Sequence, residues 1–91
     1  MYRIKKYTFD AAKKINVIVK PSKTKGKKID VFKNGKKIYS IGAIGYNDYP
    51  TWLIKKGKNY ADKRKSLYKI RHAKNIKIKY SRGWYASKLL W

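Results

Sequence analysis

Few residues of this chain could do acid–base or metal chemistry, and their spacing favours neither. The acids are four aspartates with no glutamate, His72 is the only histidine, and there is no cysteine. General acid–base catalysis needs paired carboxylates or a histidine with an orienting partner, and a metal site needs clustered ligands. The carboxylates are instead scattered, at Asp10, Asp30, Asp48 and Asp62. We therefore predict that the protein is not an enzyme and carries neither a cofactor nor a metal.

Positive charge is the dominant chemical feature of the sequence. The 91 residues include 26 lysines and arginines against four acids, a formal net charge of +22. Repulsion at this density opposes a compact state unless an anionic partner neutralises it; nucleic acid is the commonest such partner and an anionic membrane surface the next. The chain is nevertheless 43% hydrophobic and 15% aromatic, which is too rich for a disordered basic tail. We predict a folded basic module.

Lysine supplies most of this charge, with 22 lysines to four arginines. A lysine-rich set favours contacts to backbone phosphates over base readout, which prefers the bidentate geometry of arginine. The candidate nucleic-acid-binding residues lie in a basic loop over residues 20–28 and along one predicted helix; they are Lys20, Lys23, Lys25, Lys27, Lys28, Lys63, Lys65 and Lys69. The alternative is that these lysines only form a solvated surface, but a net charge of +22 exceeds what solubility requires.

The elements that would position these lysines begin with a small sheet. Ile15, Val17 and Val19 are spaced as in a strand, and two further apolar runs flank Asn34-Gly35, a strong signal for a type I′ hairpin. We predict a three-stranded antiparallel meander over residues 15–45, with one face on the core and one solvated. Residues 1–14 are expected to form an edge strand or an arm.

The pattern changes to helical over residues 46–91. Asp48 and Pro50 suit the start of a short helix that Gly57 can end. Asn59 is expected to cap a second helix that ends near His72. The chain is thus predicted to be one α+β domain, in which the meander is followed by two short helices and a short C-terminal helix.

The faces of the second helix and the segments after it complete the prediction. Tyr60, Leu67 and Tyr68, with the stem of Arg64, are expected to form the apolar stripe of that helix, and its lysines are expected to point outward. Residues 76–80 alternate apolar and basic side chains, which predicts an extended linker. Arg71 and His72 are expected to pack at the helix end and to cap its last carbonyl groups.

The C-terminus ends in three large apolar residues, Leu89, Leu90 and Trp91. We expect the last helix to fold back onto the hairpin and the second helix, with Gly83 supplying the tight turn. The alternative is that Trp91 is exposed and docks onto a partner.

Three motifs carry a resemblance to a known family. In chain order they are Gly42, Gly45, Tyr46, Asp48 and Tyr49; then Tyr68, Arg71 and His72; then Gly83, Trp84, Leu89, Leu90 and Trp91. Their order and spacing over residues 15–91 resemble a family of small basic proteins encoded by large DNA viruses of eukaryotes, of the giant or algal type. The chain departs from the family pattern at Pro50, at Arg82 and in the linker 77–79.

The resemblance implies a viral source, but it carries over no catalytic or binding residue. Two functions stay open: a virion-associated protein that binds nucleic acid nonspecifically, or an assembly protein that bridges acidic capsid or core proteins. Either function would place the protein in the virion and in the cytoplasm or nucleus of the infected cell. The first 20 residues lack the apolar run of a signal peptide and no 18-residue apolar stretch occurs, so we expect neither that secretion route nor a transmembrane segment.

Overall fold

The chain forms an α+β structure in which a three-stranded antiparallel sheet is followed by several helices, as predicted. The computed structural model describes residues 2–91, which divide into two compact units, a first that ends at Tyr46 and a second that spans Asn47–Trp91. Within the described residues, no helix combines the length and apolar character needed to cross a membrane. The elements are α1 (Lys6–Lys14), β1 (Ile18–Pro21), β2 (Lys27–Lys33), β3 (Lys36–Ala43), α2 (Tyr49–Lys56), α3 (Lys58–Arg71), α4 (Ala73–Ile76) and α5 (Arg82–Leu90).

The sheet of the first unit has the strand order β1-β2-β3, and the hairpin turn is the predicted one. Asn34 and Gly35 join β2 to β3 with φ angles of 53° and 79°, as a type I′ turn requires. Ile29 pairs with Ile41 across the hairpin, and both are almost completely buried. The opposite face is less solvated than predicted, because Asp30 on the central strand is also buried.

The edge strand predicted for the N-terminal region is wrong, since residues 6–14 form helix α1. The buried positions of this helix are Thr8 and Ala12, one helical turn apart. The larger Phe9, which suggested a strand, is 44% exposed. The burying face of the helix thus consists of small residues, which give only a weak hydrophobic signal in the sequence.

The second unit opens with the predicted capped helix. The Asp48 carboxylate accepts hydrogen bonds from the Thr51 amide at 3.0 Å and from the Thr51 hydroxyl at 2.6 Å. Gly57 ends α2 with a φ angle of 84° and also precedes α3, so Asn59 lies inside α3 and is not its cap.

The buried face of helix α3 matches the predicted stripe only in part. Ala61 is completely buried, whereas Tyr60 and Leu67 are 39% and 45% exposed. Arg64 and Tyr68 lie on the same side as Ala61, at helical spacing, and are half-buried. A small side chain at position 61 lets the helix approach its neighbours closely, and this proximity selects the buried face.

The segment between α3 and α5 is not extended as predicted. It forms the short helix α4 followed by turns that lead into α5. Gly83 lies inside α5, whose N-cap is Ser81, so it does not supply the turn. A Cβ atom at position 83 would lie 2.6 Å from the Asn75 Cβ atom, so glycine is needed there for close helix packing.

The C-terminal residues are packed, as predicted. Leu89 is completely buried and Leu90 is 2% exposed. The half-buried Trp91 ring stacks on Tyr68 of α3, with ring centroids 4.5 Å apart and planes 8° from parallel. The stacking fits the predicted packing on the second helix; packing on the hairpin stays a prediction.

Replacing Leu89 by alanine should lower the free energy of unfolding by about 2–5 kcal/mol, because it leaves a cavity in a closed core. Leu67→Ala on the exposed side of α3 is the matched control and should change stability by less than about 1 kcal/mol. Urea unfolding followed by circular dichroism measures both variants. Equal losses would show that Leu89 does not belong to the core.

Candidate nucleic-acid interface

In the structure β1 ends at Pro21 and β2 begins at Lys27, so the basic loop comprises residues 22–26. This loop is anchored by a buried carboxylate. Asp30 is 4% exposed, and it accepts hydrogen bonds from the hydroxyls of Ser22 and Ser40, each at 2.6 Å. The Lys23 amide also points to this carboxylate, at 3.4 Å, and the Lys37 ammonium lies 3.8 Å from it. One acid on the central strand therefore holds both the start of the loop and the neighbouring strand.

The loop is cross-linked further by Thr24. Its amide donates to the Ser22 hydroxyl at 3.0 Å, and its own hydroxyl hydrogen-bonds with the Ser40 hydroxyl at 3.1 Å. The Lys27 amide donates to the Thr24 carbonyl at 3.1 Å, which closes the loop. The segment predicted as a mobile loop thus has a defined hydrogen-bonded conformation.

These contacts determine the charge state of Asp30. Burial by itself raises the pKa of Asp30, but the hydrogen bonds from Ser22 and Ser40, with the nearby Lys37 ammonium, outweigh burial and hold the pKa below its ordinary value of 3.8. Asp30 therefore stays ionised at neutral pH and keeps its role as acceptor.

The predicted phosphate-contacting lysines of the first unit fall into three groups. Lys20, Lys23 and Lys25 are exposed, and Lys27 is half-buried. Lys28, by contrast, is 5% exposed and donates a hydrogen bond to the Tyr46 carbonyl. Lys28 is therefore part of the packing of this unit and does not present its ammonium group to a phosphate.

The predicted phosphate-contacting lysines of α3 also differ in their exposure. Lys63 and Lys69 are exposed, but Lys65 is half-buried, with its ammonium 4.8 Å from the centre of the Tyr49 ring. Burial lowers the pKa of Lys65. Its outward orientation was predicted wrongly, because it lies on the same side of the helix as Ala61.

Tyr68 lies between the rings of His72 and Trp91. The His72 ring lies 4.4 Å from the Tyr68 ring, and Trp91 covers Tyr68 as described above. His72 ends α3 and its amide donates to the Tyr68 carbonyl at 3.0 Å. Arg71 is exposed, so its predicted packing at the helix end is not observed.

The remaining motif positions vary in exposure. Tyr49 is 8% exposed, and its hydroxyl donates to Asp62 at 2.7 Å. Tyr46 is 75% exposed. Gly42 lies within β3 and Gly45 lies after it.

Sequence reasoning missed the anchoring role of Asp30 and the basic C-terminal surface. The available signal for Asp30 was a lone acid in a strand between lysine-rich segments. The missed exposed lysines are Lys74, Lys77, Lys79 and Lys88. Within residues 2–91, no three histidine or carboxylate side chains come together as a metal site.

No protein-family model, no curated protein and no solved structure matches this chain. The viral resemblance of the three motifs therefore stays a prediction.

Replacing Asp30 by asparagine should lower the free energy of unfolding at pH 7 by about 1–3 kcal/mol, because the hydroxyls of Ser22 and Ser40 lose a charged acceptor. The pKa of Asp30 is lower in the folded chain than the ordinary 3.8, so its stabilisation is complete above that pH and is lost as the pH falls through the folded value. The variant should therefore show a flatter loss of stability below about pH 4.

Asp10→Asn is the matched control, since Asp10 is half-exposed and pairs with Lys6 one turn away on α1. This variant should leave the loss of stability below about pH 4 nearly unchanged. Thermal melts between pH 2 and pH 7 measure both variants. An unchanged loss of stability at acid pH in Asp30→Asn would contradict the anchoring role.

Proposed function

We propose that the protein binds nucleic acid without sequence specificity, through lysine contacts to backbone phosphates, as a virion-associated protein of a large DNA virus. The observation that carries this proposal is the exposed loop with Lys23 and Lys25, held in one conformation by Asp30. An ordered loop loses less conformational entropy on binding than a mobile one. The viral part rests on the motif resemblance.

The placement of the acids supports binding over catalysis. Asp10 pairs with Lys6 at 2.7 Å, and Asp62 accepts from Lys58 at 2.6 Å and from the Tyr49 hydroxyl. Asp30 and Asp48 accept the local hydrogen bonds described above. Every carboxylate therefore has a structural role within its own unit, and the net charge of +22 calls for an external polyanion.

Binding to duplex DNA should weaken steeply as salt increases, because bound lysines release counterions. If about five to eight phosphates are neutralised, log K should fall against log salt with a slope of about −5 to −7. Fluorescence anisotropy with random-sequence duplexes measures the slope, and different sequences should give the same affinity. No binding at low salt would refute the proposal.

A pair of double variants tests the loop itself. Lys23→Ala with Lys25→Ala should reduce the steepness of the slope by about two. Lys13→Ala with Lys14→Ala removes the same charge from exposed positions at the end of α1 and should change the slope less. Lys28 is left intact, because it is buried. Equal effects of the two pairs would show that the loop is not a preferred contact.

An assembly function is the second candidate, and a separate observation favours it. Ile54 and Ile70 of the second unit are 74% and 75% exposed, and large exposed aliphatic side chains are typical of protein contacts. Such a protein would bridge acidic capsid or core proteins through apolar contacts with basic surroundings. Fractionated virions separate the two functions: the protein would be found with the shell and not with the genome.

A further inference from the structure

Three aromatic rings of the second unit lead from its core to its surface. Tyr85 is 2% exposed, Trp84 is half-buried, and Tyr80 is 52% exposed. Trp84 packs edge-on against Tyr85 with ring centroids 5.0 Å apart, and Tyr80 packs edge-on against Trp84 at 5.2 Å. The exposed Tyr80 ring thus packs on Trp84, which in turn packs on the buried Tyr85 ring.

The backbone at Tyr80 has an uncommon conformation. Its φ angle is +67°, in the left-handed region that bulky residues rarely adopt. The surrounding turn is fixed by hydrogen bonds from the Ser81 amide to the Ile78 carbonyl at 3.1 Å and from the Ser81 hydroxyl to the Asn75 carbonyl at 3.1 Å. Such strain persists where neighbouring contacts enforce it, and it is frequent at ligand-binding sites.

The charged side chains that neighbour Tyr80 in the sequence are basic. No acid occurs in the sequence after Asp62, and Lys77, Lys79 and Lys88 are exposed. The Lys79 ammonium lies 5.2 Å from the centre of the Tyr80 ring, and the Lys88 ammonium lies 5.7 Å from the centre of the Trp84 ring. At an exposed site such a cation–π contact is weak, so Lys79 can exchange it for a phosphate.

We propose that Tyr80 is a stacking site for one unpaired nucleobase, with Lys77 and Lys79 contacting the adjacent phosphates. The inference rests on the proposed nucleic-acid binding and names the strand form that this site prefers. A nucleotide offers a flat π-face beside an anion, which matches an exposed ring beside ammonium groups. An acidic peptide offers the anions without the flat ring, and a duplex keeps its base faces stacked inside.

The test compares a thymidine 20-mer with an abasic oligonucleotide of equal phosphate number, by fluorescence anisotropy at low salt. Intact protein should bind the thymidine strand about 10-fold more tightly, because stacking adds to phosphate contacts. Tyr80→Asn should lose this preference while binding the abasic strand unchanged. Asparagine tolerates a positive φ angle, so the turn is kept while the ring is removed.

Two controls accompany this variant. Tyr80→Phe should keep the preference for the thymidine strand, since the π-face remains. Tyr46→Asn removes a tyrosine of the first unit that is more exposed than Tyr80 and should leave the preference intact. A strand carrying 5-iodouracil should photo-crosslink to Tyr80, as located by mass spectrometry of the peptides.

The outcomes distinguish this inference from the proposed function. Equal affinity for the two strands, or crosslinks away from residues 77–85, would overturn the stacking site while leaving phosphate binding in place. Absence of binding to either strand at low salt would overturn the proposed function, and the stacking site with it.

Discussion

Mutual repulsion among lysine and arginine side chains is the constraint under which this chain folds. With a formal charge of +22, only four carboxylates are present as counter-charges, and each accepts hydrogen bonds that hold local structure. Asp30 joins the loop to the sheet, Asp48 starts α2, and Asp62 links α2 to α3. Removing any of these three would therefore take away both a scarce negative charge and a structural contact.

Aromatic rings contact some of the cationic side chains, a role that carboxylates have in proteins with more acidic residues. The Arg64 guanidinium lies 5.5 Å from the centre of the Trp52 ring, and the Lys65 ammonium lies 4.8 Å from that of Tyr49. A ring face attracts a cation without requiring a carboxylate, and it also supplies apolar area for the core. The same pairing at the surface, between Lys79 and Tyr80, is the feature from which we infer base stacking.

The two proposed functions draw on different surfaces of the chain. Phosphate binding would use exposed lysines, among them those of the loop that the hydrogen bonds of Asp30 hold in place. Assembly would use exposed aliphatic residues such as Ile54 and Ile70, which phosphates do not need. Because salt weakens ionic contacts more than apolar ones, salt dependence is the physical property that separates the two.

Turns and helix ends that depend on neighbouring residues could be predicted from the sequence alone. Asn34-Gly35 determined the hairpin, Asp48 with Pro50 determined the start of α2, and Gly57 determined its end, because each signal acts within a few residues. Tertiary structure decided which side chains face inward. Thr8 and Ala12 are the buried residues of α1, Ala61 is the buried residue of α3, and the closeness of Asn75 requires glycine at position 83. Lys28 and Lys65 became packed residues for the same reason: the burial of a lysine depends on its neighbours in space, which sequence spacing does not specify.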